Sequence, residues 1–208
     1  MIFSQDELRD IFIAIITMTV VFAYSGPNLG SFAQNIPAAF IVVVTSFLLH
    51  ELAHKFVAIK FGVKAFFKLW PFGVIVGLIF MFLPPLKILA PGSVVIYPQR
   101  FGRWKRRFEK YSRFTEITIK QIGIIAAVGP LVNIILALFA WSLMSTVLPD
   151  NAFLAYLVLI NSWLAIINLI PFNPLDGAKV FTWKPWLWLV LIVVSAIFLL
   201  NVVPSFIR

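Results

Sequence analysis

The chain has 208 residues, of which 62% are hydrophobic, 16% aromatic and 12% charged, and its mean hydropathy is +1.00. Soluble globular domains contain about 45 to 50% apolar and about 25% charged residues, so this composition excludes an ordinary soluble domain. Cysteine is absent, which excludes disulfide scaffolds and thiolate metal sites. A net charge of +9 would suggest a nucleic-acid partner in a soluble chain, whereas helical membrane proteins concentrate Lys and Arg in their cytoplasmic loops.

Five stretches approach the length of roughly 20 apolar residues that a helix needs to cross the hydrocarbon core of a bilayer. They are 8–25, 36–60, 122–148, 152–171 and 185–204. The sequence therefore predicts an all-α polytopic membrane protein with five transmembrane helices, which form a single membrane-embedded domain over residues 1–208.

The distribution of positive charge predicts the orientation of these spans. Twelve of the 17 Lys and Arg residues fall between Lys60 and Lys120, whereas the loops 26–37 and 149–151 contain none. By the positive-inside rule the region 60–121 is cytoplasmic and the two uncharged loops lie outside. We therefore expect a multi-pass protein of the cell membrane with its N-terminus inside and its C-terminus outside.

A short apolar stretch and a turn motif separate the second span from the third. Residues 72–83 are short for a helix that crosses the bilayer and predict a re-entrant segment, with a sixth span as the alternative. Within 86–97, Pro and Gly at 91–92 occupy the centre of a predicted type II turn. Flanked by the apolar residues 88–89 and 94–96, this turn predicts a small β-hairpin on the cytoplasmic side.

The basic region contains an aromatic pattern at steps of three and four residues, formed by Phe101, Trp104, Phe108 and Tyr111. With Lys and Arg in the gaps, this pattern is typical of a basic amphipathic helix on an anionic membrane surface. The expected partner is therefore the lipid bilayer and not nucleic acid. A solvated charged linker is the alternative.

Both histidines of the chain lie in one pentapeptide of the second predicted span, His50-Glu51-Leu52-Ala53-His54. Residues four apart share one face of a helix, so the two imidazoles can hold a single ion while Glu51 projects toward its ligand water. Ionisable groups within a membrane are costly and are functional candidates by default. A packing role, or a hydrogen bond between helices, is the alternative.

A catalytic zinc site usually has three protein ligands, so a third donor is needed. Of the eight acidic residues, three lie at the N-terminus, two in the basic region and one in an outside loop, and Glu51 is already assigned. This leaves Asp176, which follows two helix-breaking prolines, Pro171 and Pro174. The second and fourth spans both run inward, which brings Asp176 to the leaflet of the histidines. A helix-capping role is the alternative.

The sequence resembles the site-2 proteases, which are intramembrane zinc metalloproteases. The resemblance rests on the motif at 50–54, on the Gly-Pro-Leu-Val-Asn element at 129–133, and on the Asn-x-x-Pro and Asp-Gly pairs within 168–177. One departure is Asn173, where many relatives have proline.

The resemblance implies a function as well as a fold. It implies one Zn²⁺ per chain held by His50, His54 and Asp176, with Glu51 as the catalytic acid and base, and hydrolysis of a peptide bond in a transmembrane protein substrate. The implied catalytic core covers about 36–60, 122–148 and 152–179, with the hairpin and the basic region at about 61–121.

Other polar and strand residues are candidates for substrate contacts. Asn168 and Asn133 could donate to the substrate backbone or to a developing oxyanion, or could simply join helices. Val94, Val95 and Ile96 could pair with an unwound substrate strand by β-augmentation.

Two other classes of function stay open at this level. They are a zinc or proton transporter and an inactive relative that binds membrane proteins without cutting them. The sequence does not predict an oligomeric state.

Overall fold

A computed structural model describes residues 3–82, 87, 89–100 and 117–203, without the side chains of 97–100. The described part of the chain is mostly helical and carries one antiparallel pair of strands. In chain order its elements are α1 (Gln5–Ala23), α2 (Leu29–Val43), α3 (Leu49–Lys60), β1 (Val63–Leu69), α4 (Pro71–Phe80), β2 (Gly92–Arg100), α5 (Ile119–Thr146), α6 (Ala152–Asn168), α7 (Asp176–Trp183) and α8 (Pro185–Val202). A π-helical turn, Val44–Leu48, joins α2 and α3 into one continuous helix.

Polar residues cap the first helices. Ser4 Oγ accepts a hydrogen bond from the Glu7 backbone N–H at 3.2 Å, and the Glu7 carboxylate accepts one from the Ser4 N–H at 3.4 Å. Such reciprocal caps satisfy N–H groups that have no partner within the helix. Asn28 likewise accepts from the N–H of Gly30 at 2.8 Å, so α2 begins well before the predicted boundary at 36.

Among the described residues, three helical stretches are long and apolar enough to cross a membrane. They are Leu29–Lys60, Ile119–Thr146 and Pro185–Val202. The predicted spans at 8–25 and 152–171 are also helical, as α1 and α6, but α6 has 17 residues and α1 carries several charged residues in its first turns. The five-span topology therefore stays a prediction.

The predicted hairpin at 86–97 is wrong, because β2 pairs with a strand far earlier in the chain. β1 and β2 are antiparallel, with Phe67 opposite Val94 and Leu69 opposite Gly92. A Cβ atom on Gly92 would lie 2.4 Å from Cζ of Phe67, so this glycine permits close packing between the strands and does not form the predicted turn.

The segment between the two strands leaves the sheet and returns to it. It begins with α4, and the backbone N–H of Trp70 donates to the carbonyl of Pro91 at 2.7 Å, so its two ends are adjacent. The predicted re-entrant segment at 72–83, with a sixth span as its alternative, stays a prediction. The predicted amphipathic helix at 101–111 lies outside the described residues.

Carboxylates of α1 fix the sheet against α3. The Lys55 ammonium donates to the Glu7 carboxylate in a buried ion pair between α3 and α1. Glu7 Oε1 also accepts from the N–H of Phe67 at 3.0 Å, and Asp10 Oδ2 accepts from the N–H of Leu69 at 3.1 Å. The outer edge of β1 is therefore occupied by side chains of α1.

Candidate metal centre

The two histidines lie one turn apart on α3 and point to the same place. Their Nε2 atoms are 3.0 Å apart, and each residue is only 2% exposed. The helical spacing alone places both rings on one face. The prediction that the two imidazoles can share one ion therefore agrees with the observed geometry.

Asp176 joins the two histidines from the other end of the sequence. It is the first residue of α7, after the non-helical stretch 169–175 that contains the two predicted helix breakers. Its Oδ2 atom lies 2.9 Å from His54 Nε2 and 3.4 Å from His50 Nε2. The structure thus brings together the three candidate ligands, all of them buried.

Hydrogen bonds from α5 orient both imidazoles. His50 Nδ1 lies against Asn133 Oδ1, and His54 Nδ1 lies 2.6 Å from the backbone carbonyl oxygen of Ile125. Because both partners are oxygen acceptors, each Nδ1 carries the proton and donates it. Each Nε2 is then the ring nitrogen that faces the shared point and is placed to bind a metal.

The donor set and the space around it fit a zinc ion. Two neutral imidazole nitrogens and one carboxylate oxygen form a ligand set known from catalytic zinc sites. At Zn–ligand distances of about 2.0 to 2.1 Å, tetrahedral donors lie about 3.3 Å apart, close to the separations seen among these three atoms. A Cβ atom on Gly129 of α5 would lie 2.2 Å from His54 Nε2, so this glycine leaves the coordination space open.

Glu51 is the buried carboxylate beside the first histidine of this group. It is 7% exposed, and its Oε2 atom has no hydrogen-bond partner among the described residues. A buried polar atom without a partner is costly, which indicates a contact with a group that is not part of the chain. A water molecule at the metal site would supply that contact.

The structure places Asn133 beside the first candidate metal ligand. Its Oδ1 atom contacts His50, and its Nδ2 atom donates to the carbonyl of Ser46 at 3.2 Å and to Asn161 Oδ1 at 2.9 Å. Both ends of the amide are therefore engaged within the protein, and Asn133 is fully buried. These contacts fit the alternative role of joining helices, and a contact of Asn133 with substrate stays a prediction.

Asn168 is placed at the end of α6, as expected, but its amide is turned to its own helix. Asn168 Nδ2 donates to the backbone carbonyl of Leu164 at 2.9 Å. Its contact with a substrate stays a prediction.

The alternation of hydrogen bonds along the sheet decides which groups of β2 face outward. The N–H of Phe67 points to α1, whereas the N–H of Trp70, just after β1, points to Pro91 on the side of β2. Because the direction alternates along a strand, the even-numbered residues of β1 form the hydrogen bonds to β2. Residues opposite each other in an antiparallel pair point their backbone groups the same way, inward or outward. Val94 and Ile96, which face Phe67 and Ala65, therefore present their backbone groups at the other edge of β2. We call this the free edge, because no further strand of the described residues pairs with it. The backbone groups of Val95 point toward β1.

A groove of about 270 Å³ follows this free edge. It is lined by residues 93–96 of β2, by Ile117 and Ile122, by Asn173 and Pro174, and by Lys179. The ammonium of Lys179 also lies 3.3 Å from Asp176 Oδ1. One side chain thus joins the groove to the candidate metal ligands.

Sequence reasoning missed Lys179 and Asn161. Lys179 lies three residues after Asp176 on the same helix, a spacing that places side chains together. Asn161 is a polar residue in the middle of an apolar helix, which is a signal in its own right. These rules could have identified both residues as candidates, but they could not have predicted that Asn161 contacts Asn133 on another helix.

Two known proteins are similar to the chain over most of its length. A protein named "Putative zinc metalloprotease MJ0611", from Methanocaldococcus jannaschii, is 32% identical over 190 residues, which are 89% of this chain and 88% of that protein. A protein named "Putative zinc metalloprotease YwhC", from Bacillus subtilis, is 30% identical over 159 residues, which are 69% of this chain and 67% of that protein. No family model and no solved structure matches the chain.

Proposed function

Since the chain belongs to the family of these two zinc metalloproteases, we propose that it is an intramembrane zinc endopeptidase that resembles the site-2 proteases. The observation that carries the proposal is the convergence of His50 Nε2, His54 Nε2 and Asp176 Oδ2 on one point in a helical core. The proposed cofactor is one Zn²⁺ per chain. The proposed substrate is a transmembrane segment of another membrane protein.

The setting of the reaction is the cell membrane. Three helices of suitable length and apolar character support this location. In the proposed topology α1, the continuous helix through α3, α5, α6 and α8 cross the bilayer, with the N-terminus inside and the C-terminus outside. The metal site then lies toward the cytoplasmic leaflet, beside the positively charged region.

The residues of the site divide the chemistry among them. His50, His54 and Asp176 would hold the ion. When bound, zinc supplies Lewis-acid activation of water and of the scissile carbonyl. Glu51 takes the proton of the attacking water as the new C–O bond forms, and returns a proton to the amine nitrogen as the C–N bond breaks.

The free edge of β2 is the proposed binding surface for the substrate. A helical substrate must unwind before its peptide bond can react, because its backbone groups are otherwise occupied within the helix. An unwound strand can pair with the outward backbone groups of Val94 and Ile96 by β-augmentation. On β1, the N–H groups of Phe67 and Leu69 already donate to carboxylates of α1. A substrate strand would therefore pair with β2 and not with β1.

The catalytic proposal is tested with purified protein reconstituted in liposomes together with a library of single-span transmembrane peptides. New peptide termini are identified by mass spectrometry, and bound zinc is measured in parallel. Glu51→Gln should keep its zinc and lose cleavage by about 10²- to 10⁴-fold, the range for removal of a general acid and base. His54→Ala should lose the metal as well as the activity.

Two results would contradict the proposal. Cleavage by Glu51→Gln at the wild-type rate would remove Glu51 from the mechanism. Full zinc occupancy in His54→Ala would remove His54 from the ligand set.

The strand proposal has its own test, which compares two variants at one position. Ile96→Pro removes the outward N–H, whereas Ile96→Ala shortens the side chain and keeps that N–H. We expect the proline variant to lose cleavage while zinc stays bound, and the alanine variant to keep most of its activity. Equal activity of the two variants would show that the edge does not hold the substrate.

A further inference from the structure

A chain of buried amide groups connects α6 to the first metal ligand. Asn161, in the middle of α6, is fully buried, and its Nδ2 atom donates to the backbone carbonyl of Leu157 at 2.9 Å. Its Oδ1 atom accepts a hydrogen bond from Asn133 Nδ2 at 2.9 Å. Asn133 Oδ1 in turn contacts His50 Nδ1. The contacts cross from α6 through α5 to α3.

Each of these side-chain amides has an oxygen that accepts and an NH₂ group that donates. Once one amide is oriented, its contact therefore fixes the orientation of the next. A backbone carbonyl can only accept, and Leu157 therefore fixes the NH₂ group of Asn161 toward itself. The oxygen of Asn161 then faces Asn133 and requires the NH₂ group of that residue. The oxygen of Asn133 is left for His50.

We propose that Asn161 is a positioning residue that, through Asn133, holds the proton of His50 on Nδ1 and keeps Nε2 free to bind the metal. If Asn133 turned its NH₂ group toward His50, its oxygen would face two other oxygens, those of Asn161 and of the Ser46 carbonyl. The contact with Asn161 is the shorter of the two that oppose this rotation. The inference rests on the proposed zinc site but does not depend on peptide hydrolysis.

The second histidine provides an internal reference. His54 Nδ1 is held by the backbone carbonyl of Ile125, which no side-chain substitution in the amide chain removes. The protein contains only two histidines, so ¹⁵N labelling of histidine gives signals from these two rings alone. A change confined to one ring can therefore be separated from a general loss of packing.

The experiment compares wild type with Asn161→Leu and Asn161→Asp in full-length protein without metal, above the usual pKa range of histidine. Leucine has a similar volume but can neither donate nor accept. A neutral aspartic acid, the form that burial favours, keeps an acceptor for Asn133 and a donor for Leu157. Asn201→Leu serves as the matched control, because Asn201 also donates to its own helix, at Ile197, and is exposed.

The ring signals report the position of each proton. In wild type and in Asn201→Leu, we expect the His50 ring to carry the proton on Nδ1. The His54 ring, which has acceptors at both nitrogens, gives the reference signal. In Asn161→Leu the His50 ring should show a mixture of the two tautomers while the His54 ring is unchanged, and zinc affinity should fall by about 10- to 100-fold, as for removal of an outer partner of a ligand. Asn161→Asp should restore both properties.

The inference is overturned if Asn161→Leu keeps the wild-type tautomer of His50 and the wild-type zinc affinity, or if it changes both rings alike. It is also overturned if Asn161→Asp behaves like Asn161→Leu. Because the tautomers are measured without metal or substrate, a chain that proves inactive as a protease would still give a clear result.

Discussion

Lys179 contacts one oxygen of the Asp176 carboxylate, and the two histidines lie near the other oxygen. The Lys179 ammonium lies 3.3 Å from Asp176 Oδ1, while Oδ2 lies within 3.4 Å of Nε2 of both histidines. One oxygen is thus engaged by a cation on the same helix and the other faces the metal position. Oδ2 would therefore be the oxygen that holds the metal, while Lys179 keeps Oδ1 occupied.

Loss of Lys179 should therefore change the geometry of metal binding. We expect Lys179→Met to alter how Asp176 binds the metal more than how tightly, because the variant frees Oδ1 and also removes a positive charge close to the cation. In the Co²⁺-substituted protein, the absorption spectrum should shift from four-coordinate toward five-coordinate as Oδ1 becomes free to bind. Lys179→Arg should resemble wild type, and an unchanged cobalt spectrum in Lys179→Met would contradict the assignment.

Gly129→Ala should empty the metal site without unfolding the protein. The new Cβ atom would lie 2.2 Å from His54 Nε2 and 2.6 Å from His50 Nε2, in the coordination space itself. The matched control is Gly123→Ala on the same helix, where the new Cβ would instead lie 2.4 Å from the Trp183 side chain. We expect the first variant to lose zinc and the second to lose thermal stability but keep zinc, as measured by elemental analysis and thermal unfolding in detergent.

Zinc should stabilise the folded protein. A ligand that binds only the folded state at 100 times its dissociation constant adds about 2.7 kcal/mol to the free energy of unfolding. Addition of zinc to metal-free protein should raise the melting temperature accordingly, and His54→Ala should abolish the shift. Mg²⁺, which prefers six oxygen ligands, should have little effect; an equal shift with both ions would point to nonspecific binding.

The ion pair between Glu7 and Lys55 should contribute strongly to stability, because both side chains are almost fully buried. Removal of one partner of a buried pair leaves an uncompensated charge and typically costs about 3 to 5 kcal/mol. We expect Lys55→Met to lower the free energy of unfolding by this amount. The double variant Glu7→Gln with Lys55→Met should recover part of the loss, because glutamine still accepts from the N–H of Phe67.

The measurement is a double-mutant cycle of unfolding in detergent. Exact additivity of the two single changes would mean that the pair does not interact in the way the structure indicates.

Much of the candidate site could be predicted from local sequence rules. The four-residue spacing of His50 and His54 fixes a shared helix face, and ionisable residues within apolar helices point to function wherever they occur. Asp176 followed by elimination, because the chain offers few other donors. These arguments need only helical geometry and the cost of charge in an apolar environment.

Contacts between distant parts of the chain could not be predicted. The turn predicted at 91–92 relied on local preferences, but the strand at 92–100 pairs with 63–69, across the whole of α4. The sequence leaves the role of Asn133 open between substrate contact and helix joining, because its partners, His50 and Asn161, lie on other helices. Hydrogen-bond partners of this kind depend on how helices pack, and no local pattern encodes them.

The sequence by itself determined an apolar helical chain with two imidazoles on one helix face and a single suitable carboxylate to join them, because composition and helical period act within each segment. Only the tertiary structure decided which strand pairs with β2, which oxygen of Asp176 faces the histidines and which amides orient His50. Those outcomes depend on the directions of hydrogen bonds between segments far apart in sequence, and such directions exist only once the helices are packed.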